Sequence, residues 1–406
     1  MDRRNFLKMG LTGGAAGPVG AVAPMPIIRQ AFAAAPIFPT YKAVVCIMLH
    51  GGNDAFNMLV PTSAAAGTGY GTYQGLRAGA GLAVNNVDLN LAAAFPGTGP
   101  LASGVNNPYY AAANASGNVL HNSYRKGVYD LSVSKGIALG VNGMMPELAR
   151  LITDNKASIV ANTGTLVEPM TRNDYVNKLK QRPLFLFAHN HQRRAIDTGI
   201  GDNLSTIGWA GRIADNWAGV NAPSSFGLNF SYAGNDRMLI GNTTSPLVLK
   251  TGAPSGYKGM NINAAGDTGR RAAFAALINQ FSGDPFKDLY NRKLRESTGT
   301  VDTLGAAWPA TSSFAAIADS YGAPLFTVPD QATTGVGSNI GKSLIRQLES
   351  VAEMIRLGRT TLGLKRQFFV VQLGGFDNHS DQATKHPRLL RELSIALYDF
   401  QLAMES

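Results

Sequence analysis

The apolar positions of this chain fall into short runs that end abruptly at glycine pairs or polar turns. In YKAVVCIMLHGGNDAFNMLVPT, residues Ala43 to Leu49 are continuously apolar and the run breaks at Gly51-Gly52. A run of this length, apolar toward both faces, predicts a strand buried inside a parallel sheet. Ala157 to Ala161 predicts a second such strand, ending in Asn162-Thr163-Gly164-Thr165. Phe368 to Leu373 predicts a third, which stops at Gly374-Gly375 and delivers Asp377 and His379. A compact run from Leu184 to Ala188 leads directly into His189 and His191.

Between these runs the period changes to that of a helix. Leu148, Leu151 and Ile152 share one helical face, and 270–281 and 286–295 also read as helices. Leu344, Leu348, Val351 and Ile355 define an amphipathic helix over 340–357. Pro387 suits the first turn of a last helix containing Leu390, Leu393 and Leu397. Strand, helix and strand in alternation argue an α/β fold. Residues 63–124 show neither period and carry only Arg77 and Asp88 as Asp, Glu, Lys or Arg. They are expected to form an insertion of loops and short helices over the strand ends, with no chemistry of its own.

Length and composition leave this picture standing and add a compartment. With 406 residues, 45% of them hydrophobic, the chain can bury a large core. The first 35 residues pair Arg3 with Arg4 ahead of Phe6-Leu7-Lys8 and a Gly/Ala-rich apolar stretch. That order describes a twin-arginine export signal, which implies the twin-arginine translocase as a partner and a periplasmic or otherwise exported destination. Residues 36–406 then form a single domain. No segment offers the ~20 uninterrupted apolar residues of a membrane span. Cys46 is the only cysteine, so no intramolecular disulfide is available. The formal charge of +10 is scattered along the chain and no nucleic-acid motif accompanies it. A positive field suits a small anionic substrate.

The polar residues behind the apolar runs are the candidate chemistry. In an open parallel sheet the carboxyl ends of the strands point one way, so clusters placed there can converge in one crevice. His50, Asn53 and Asp54 follow the first run, Asp377 and His379 the last, and His189 and His191 add a further pair. Carboxylate with imidazole suits a divalent ion, Zn or Mn in preference to Ca or Mg. Each pair also has a plainer reading as loop polar groups or satisfied core histidines, and Asp54 as a turn or helix N-cap. Thr163 and Thr165 are the candidate nucleophiles if they sit at a helix N-terminus, with structural turn roles as the alternative. No G-x-S-x-G elbow or Walker loop is present.

Taken in order, the twin-arginine leader, LHGGNDAFNMLVPT, MMPELARL, IVANTGTLVEPMTR, LFAHNHQ, GWAGRIAD and GGFDNHSDQ resemble the domain-of-unknown-function 1501 family. The resemblance spans essentially all of 36–406. It implies an α/β/α sandwich of three layers around a mostly parallel sheet, similar to the alkaline phosphatase and sulfatase superfamily. It further implies a metal-dependent site, with Asp54, Asp377 and His379 as ligands, acting on a phosphate or sulfate ester or another anionic envelope substrate. Two departures qualify it. Ala188 stands where family members carry a serine, and the later Asp-Phe-Gly-Arg and Asp-His segments have no counterpart, so the chain is expected to be C-terminally incomplete. The competing expectation is a non-catalytic binding or assembly scaffold on the same fold.

Overall fold

The computed structural model describes residues 38–95, 124–161, 163–217, 219, 221, 226–255, 265–327 and 340–406. The leader with Arg3 and Arg4 lies outside these residues, as do Asn162 and much of the proposed insertion.

Two of the three expected strands form and lie side by side. Strand β1 (Lys42–Leu49) and β7 (Arg366–Leu373) pair in parallel over their full length, with Val45 opposite Phe369 and Leu49 opposite Leu373. On the other side of β7 lies β5 (Asn229–Ser231), followed by β6 (Leu247–Val248), so the parallel sheet has the order β1-β7-β5-β6. A separate antiparallel sheet has the order β2-β4-β3, from β2 (Leu59–Pro61), β3 (Val128–Asp130) and β4 (Leu139–Asn142). The chain is thus a mixed α/β fold.

Among the described residues the helices of eight or more residues are α1 (Tyr70–Arg77), α2 (Pro146–Thr153), α3 (His189–Thr198), α4 (Trp209–Trp217), α5 (Thr268–Ile278), α6 (Pro285–Ala307), α7 (Ser343–Thr360) and α8 (Gln382–Glu405). Strand alternation distributes β7 between two apolar clusters. Phe369, Val371 and Leu373 join Leu148 and Ile152 of α2, Leu344, Leu348 and Val351 of α7, and Leu390 and Leu393 of α8. Phe368 and Val370 join Ala210 of α4 with Met238 and Leu239, and Cys46 and Met48 of β1 pack against this second cluster. Burial pushes the Cys46 thiol above its ordinary pKa, in keeping with a packing role.

Two sequence expectations are corrected here. Residues 157–161 form no strand, although Ala157 and Ile159 pack on the main core while Val160 projects into solvent. The run has no ladder partner among the described residues, so Thr163 and Thr165 follow a coil rather than a strand. Residues 184–187 form a turn. Helix α8 begins at Gln382, five residues before Pro387, so the proline lies inside the helix and not in its first turn.

Candidate functional site

The turns after β1 and β7 are built against each other. Gly51 and Gly52 have φ of +108° and +92°, a region L side chains rarely adopt. A Cβ on Gly51 would stand 2.5 Å from the backbone nitrogen of Asp377, so only glycine permits this approach. Backbone bonds extend the ladder past the strand ends: His50 N–H donates to Leu373 O at 2.9 Å, and Phe376 N–H donates to His50 O at 3.3 Å.

Around this junction opens a cleft of about 280 Å³. Asp54, Asp377 and His379 from behind β1 and β7 line it with His189, which follows a turn rather than a strand, and Gln382 and His386 from the first turns of α8 complete its polar wall. His379 Nε2 and Asp377 Oδ1 are 2.9 Å apart with both side chains largely in solvent. His189 stands at the start of α3, its ring edge near Gly52.

Asp54 is differently placed. Arg77 of α1 binds both its carboxylate oxygens, with Nη2 to Oδ1 at 2.8 Å, and Gln382 Nε2 donates to Oδ2. Burial by itself would raise the Asp54 carboxyl, but the hydrogen bonds from Arg77 and Gln382 outweigh it and hold the group below the ordinary aspartate range. Arg77 belongs to the segment expected to carry no chemistry. Its part there is to hold a cleft residue in place.

Below the cleft runs a buried polar chain. His386 Nε2 meets Asn53 Oδ1 at 2.7 Å, and its Nδ1 meets the Tyr124 hydroxyl at 2.8 Å. Asn53 Nδ2 faces Met58 Sδ, so Oδ1 is its free acceptor and His386 donates from Nε2 and accepts at Nδ1. Asn57 Nδ2 donates to the Tyr124 hydroxyl at 2.7 Å, and the Tyr73 hydroxyl donates to Asn57 Oδ1 at 2.8 Å. Burial pushes the His386 pKa down to about 4, the Arg77 charge adding to it and the Asp54 charge opposing it. The ring is therefore neutral near pH 7, and it ties α8 to the Asn53-Asp54 turn.

The remaining sequence candidates lie elsewhere. The His50 side chain is exposed and does not line the cleft, and Asn53 reaches it only through His386. His191 stacks on Phe185, with ring centroids 4.1 Å apart. Thr163 and Thr165 are not among the lining residues. Arg77, Gln382 and His386 carried no strand-end signal. The one usable hint was that Arg77 is the sole basic residue in a long stretch poor in charge.

The donor types present suit a borderline divalent ion in part. Asp377, His379 and His189 face the same cleft without a strong competing partner from another element, whereas the Asp54 carboxylate is committed to Arg77. Among the described residues no group of three or more His, Cys, Asp or Glu stands at metal-binding spacing. No family model, curated protein or solved structure matches this chain.

Proposed function

We propose that the protein is an exported hydrolase of small anionic esters, phosphate or sulfate, dependent on a divalent metal. The observation that carries this reading is convergence: residues from three distant stretches, Asp54, His189 and the Asp377-His379 pair, line one cleft at the carboxyl ends of parallel strands. Asp377 and His379, 2.9 Å apart, are the pair that would hold Zn or Mn, and such an ion would supply Lewis-acid polarisation of the ester. The resemblance of the quoted motifs to the domain-of-unknown-function 1501 family supports the same reading. So do the apolar clusters on both faces of β7, which suit a three-layer sandwich of the alkaline phosphatase kind.

The chain's own residues have defined parts in this scheme. Arg77 neutralises Asp54, so an anion entering the cleft does not meet that carboxylate as a free charge. Among the described residues no Ser, Thr or Cys lines the cleft, and Ala188 offers no hydroxyl beside His189. In this scheme the attacking oxygen comes from water, and His379, 2.9 Å from Asp377, orients that carboxylate.

Metal analysis of purified protein together with turnover of p-nitrophenyl phosphate and p-nitrophenyl sulfate tests this. Stoichiometric metal that is lost in both Asp377→Ala and His379→Ala, with loss of turnover, is the expected result. A second reading, a non-catalytic binding scaffold, is favoured by the engagement of Asp54 with Arg77. Correctly folded protein that takes up no added Zn or Mn and turns over neither ester would establish it instead.

A further inference from the structure

A second cavity, of about 200 Å³, lies along α7 and shares no lining residue with the cleft. Its walls are residues 308–312, which follow the end of α6, then Gly252-Ala253, and Glu349, Ser350 and Glu353 of α7. Glu349 and Glu353 are four residues apart and therefore share one helix face. Trp308 gives the cavity an aromatic wall and also packs on the main core.

The two carboxylates are not equivalent. Glu353 is buried and fully engaged: its Oε1 accepts from the Ser313 N–H at 2.6 Å, and its Oε2 accepts from the Ser313 hydroxyl at 3.0 Å and from Arg356 Nε at 2.9 Å. Glu349 is half-buried, meets the Ser312 hydroxyl and, among the described residues, stands in no ion pair. Burial raises its carboxyl above the ordinary glutamate range; the Ser312 hydrogen bond opposes this, the Glu353 charge adds to it, and the Arg346 charge opposes it from beyond ion-pair distance. A half-buried carboxylate next to a second one, with no cation bound to it, is an arrangement that an incoming cation relieves.

We infer that this cavity binds a primary ammonium, R–NH3+, with its charge on the Glu349 carboxylate and its alkyl part against Trp308. The Glu349 oxygens and the Ser312 hydroxyl accept N–H donors, and an ammonium beside an indole gains a cation–π contact as well. The volume lies below the ~300–1,000 Å³ of a pocket for a drug-sized molecule, so the ligand is a small amine or the end of a long side chain. The paired carboxylates turn an anion away. A hard divalent ion would need six or more oxygen ligands, and one of the two carboxylates here is already taken up by Ser313 and Arg356.

Titration calorimetry of the full chain at fixed ionic strength tests this with propylammonium, with 1-propanol as a neutral probe of the same size and with tetramethylammonium as a cation without N–H donors. Propylammonium should bind saturably and about tenfold more tightly than either of the others, and Glu349→Gln should lower its affinity about tenfold. Tryptophan emission locates the site: it should change on titration of the wild type and stay constant in Trp308→Phe, which keeps an aromatic wall and the affinity, because Trp209 and Trp217 do not line the cavity. Circular dichroism and melting temperature check that both variants fold, and the probe comparison on the wild type needs neither. Nα-acetyl-lysine amide competing more tightly than propylammonium assigns the ammonium to a lysine side chain of a partner; weaker competition assigns it to a free amine. No saturable binding of propylammonium, equal binding of 1-propanol or tetramethylammonium, or unreduced affinity in folded Glu349→Gln overturns the inference. Calcium binding at the cavity in preference to propylammonium overturns it in favour of an inorganic ion.

Discussion

Arg391 of α8 and Glu147 of α2 form an ion pair in which both side chains are fully buried. Glu147 also accepts hydrogen bonds from the hydroxyls of Ser394 at 2.7 Å and Ser320 at 3.3 Å. The Arg391 guanidinium lies 5.5 Å from the Tyr321 ring centroid. Breaking such a pair leaves a buried charge without its counterion, which costs far more than the pair itself contributes. Arg391→Met should therefore lose about 3–5 kcal/mol of stability in urea unfolding. Glu147→Leu combined with Arg391→Met should recover much of that loss.

Two further carboxyls in this region set a pH dependence. Burial pushes Asp319 up to about 6, with the Glu147 charge adding to it, and raises Asp399 well above the usual aspartate range. For an acid whose pKa is raised on folding, stability is fully present at low pH and is lost as pH rises. The Asp319 contribution should thus disappear between about pH 4 and about pH 6. Asp319 Oδ1 accepts from the backbone N–H groups of Tyr321 and Ala323, each at 2.8 Å, and Asp319→Asn keeps that acceptor. Thermal unfolding of Asp319→Asn should show about 1–2 kcal/mol more stability than wild type at pH 8 and no gain at pH 4.

His386 works in the opposite sense. Its pKa is lowered to about 4 by burial, so the unfolded chain takes up a proton first as pH falls. Stability is present above about pH 6.5 and is lost as pH falls toward about 4. Nitrogen chemical shifts of His386 should report a neutral ring protonated at Nε2 at pH 6. A ring that titrates near 6.5 in the native protein would contradict the buried chain from Asn53 to Tyr124.

The close approach of Gly51 to Asp377 predicts a sensitive position. With φ at +108° and no room for a Cβ, Gly51→Ala should cost about 2–4 kcal/mol and displace the Asp377 turn. Denaturant melts measure the first effect. Loss of metal or ligand binding under native conditions measures the second.

The strands bearing the cleft were legible because β1 and β7 are long apolar runs closed by glycine pairs, and that pattern has few other solutions. The run at 157–161 is shorter, holds Ser158 and has no partner strand among the described residues, and pairing is a tertiary property that periodicity does not encode. Strands β5 and β6 are three and two residues long, too short to show any period. At the site, Asp54, His189, Asp377 and His379 could be read from their places after apolar runs. Gln382 and His386 could not, because their meaning depends on partners 328 and 333 positions away.

Helix α8 carries Gln382 and His386 at one end and Arg391 and Asp399 farther along. At about 1.5 Å per residue, Asp399 lies about 20 Å along the axis from His386. The cleft wall and the buried charges are therefore mounted on one continuous helix. A sequence change that lets this helix slide or rotate in the core moves the cleft wall with it, so if the proposed function holds, inactivating substitutions should also accumulate deep in the interior, far from the cleft.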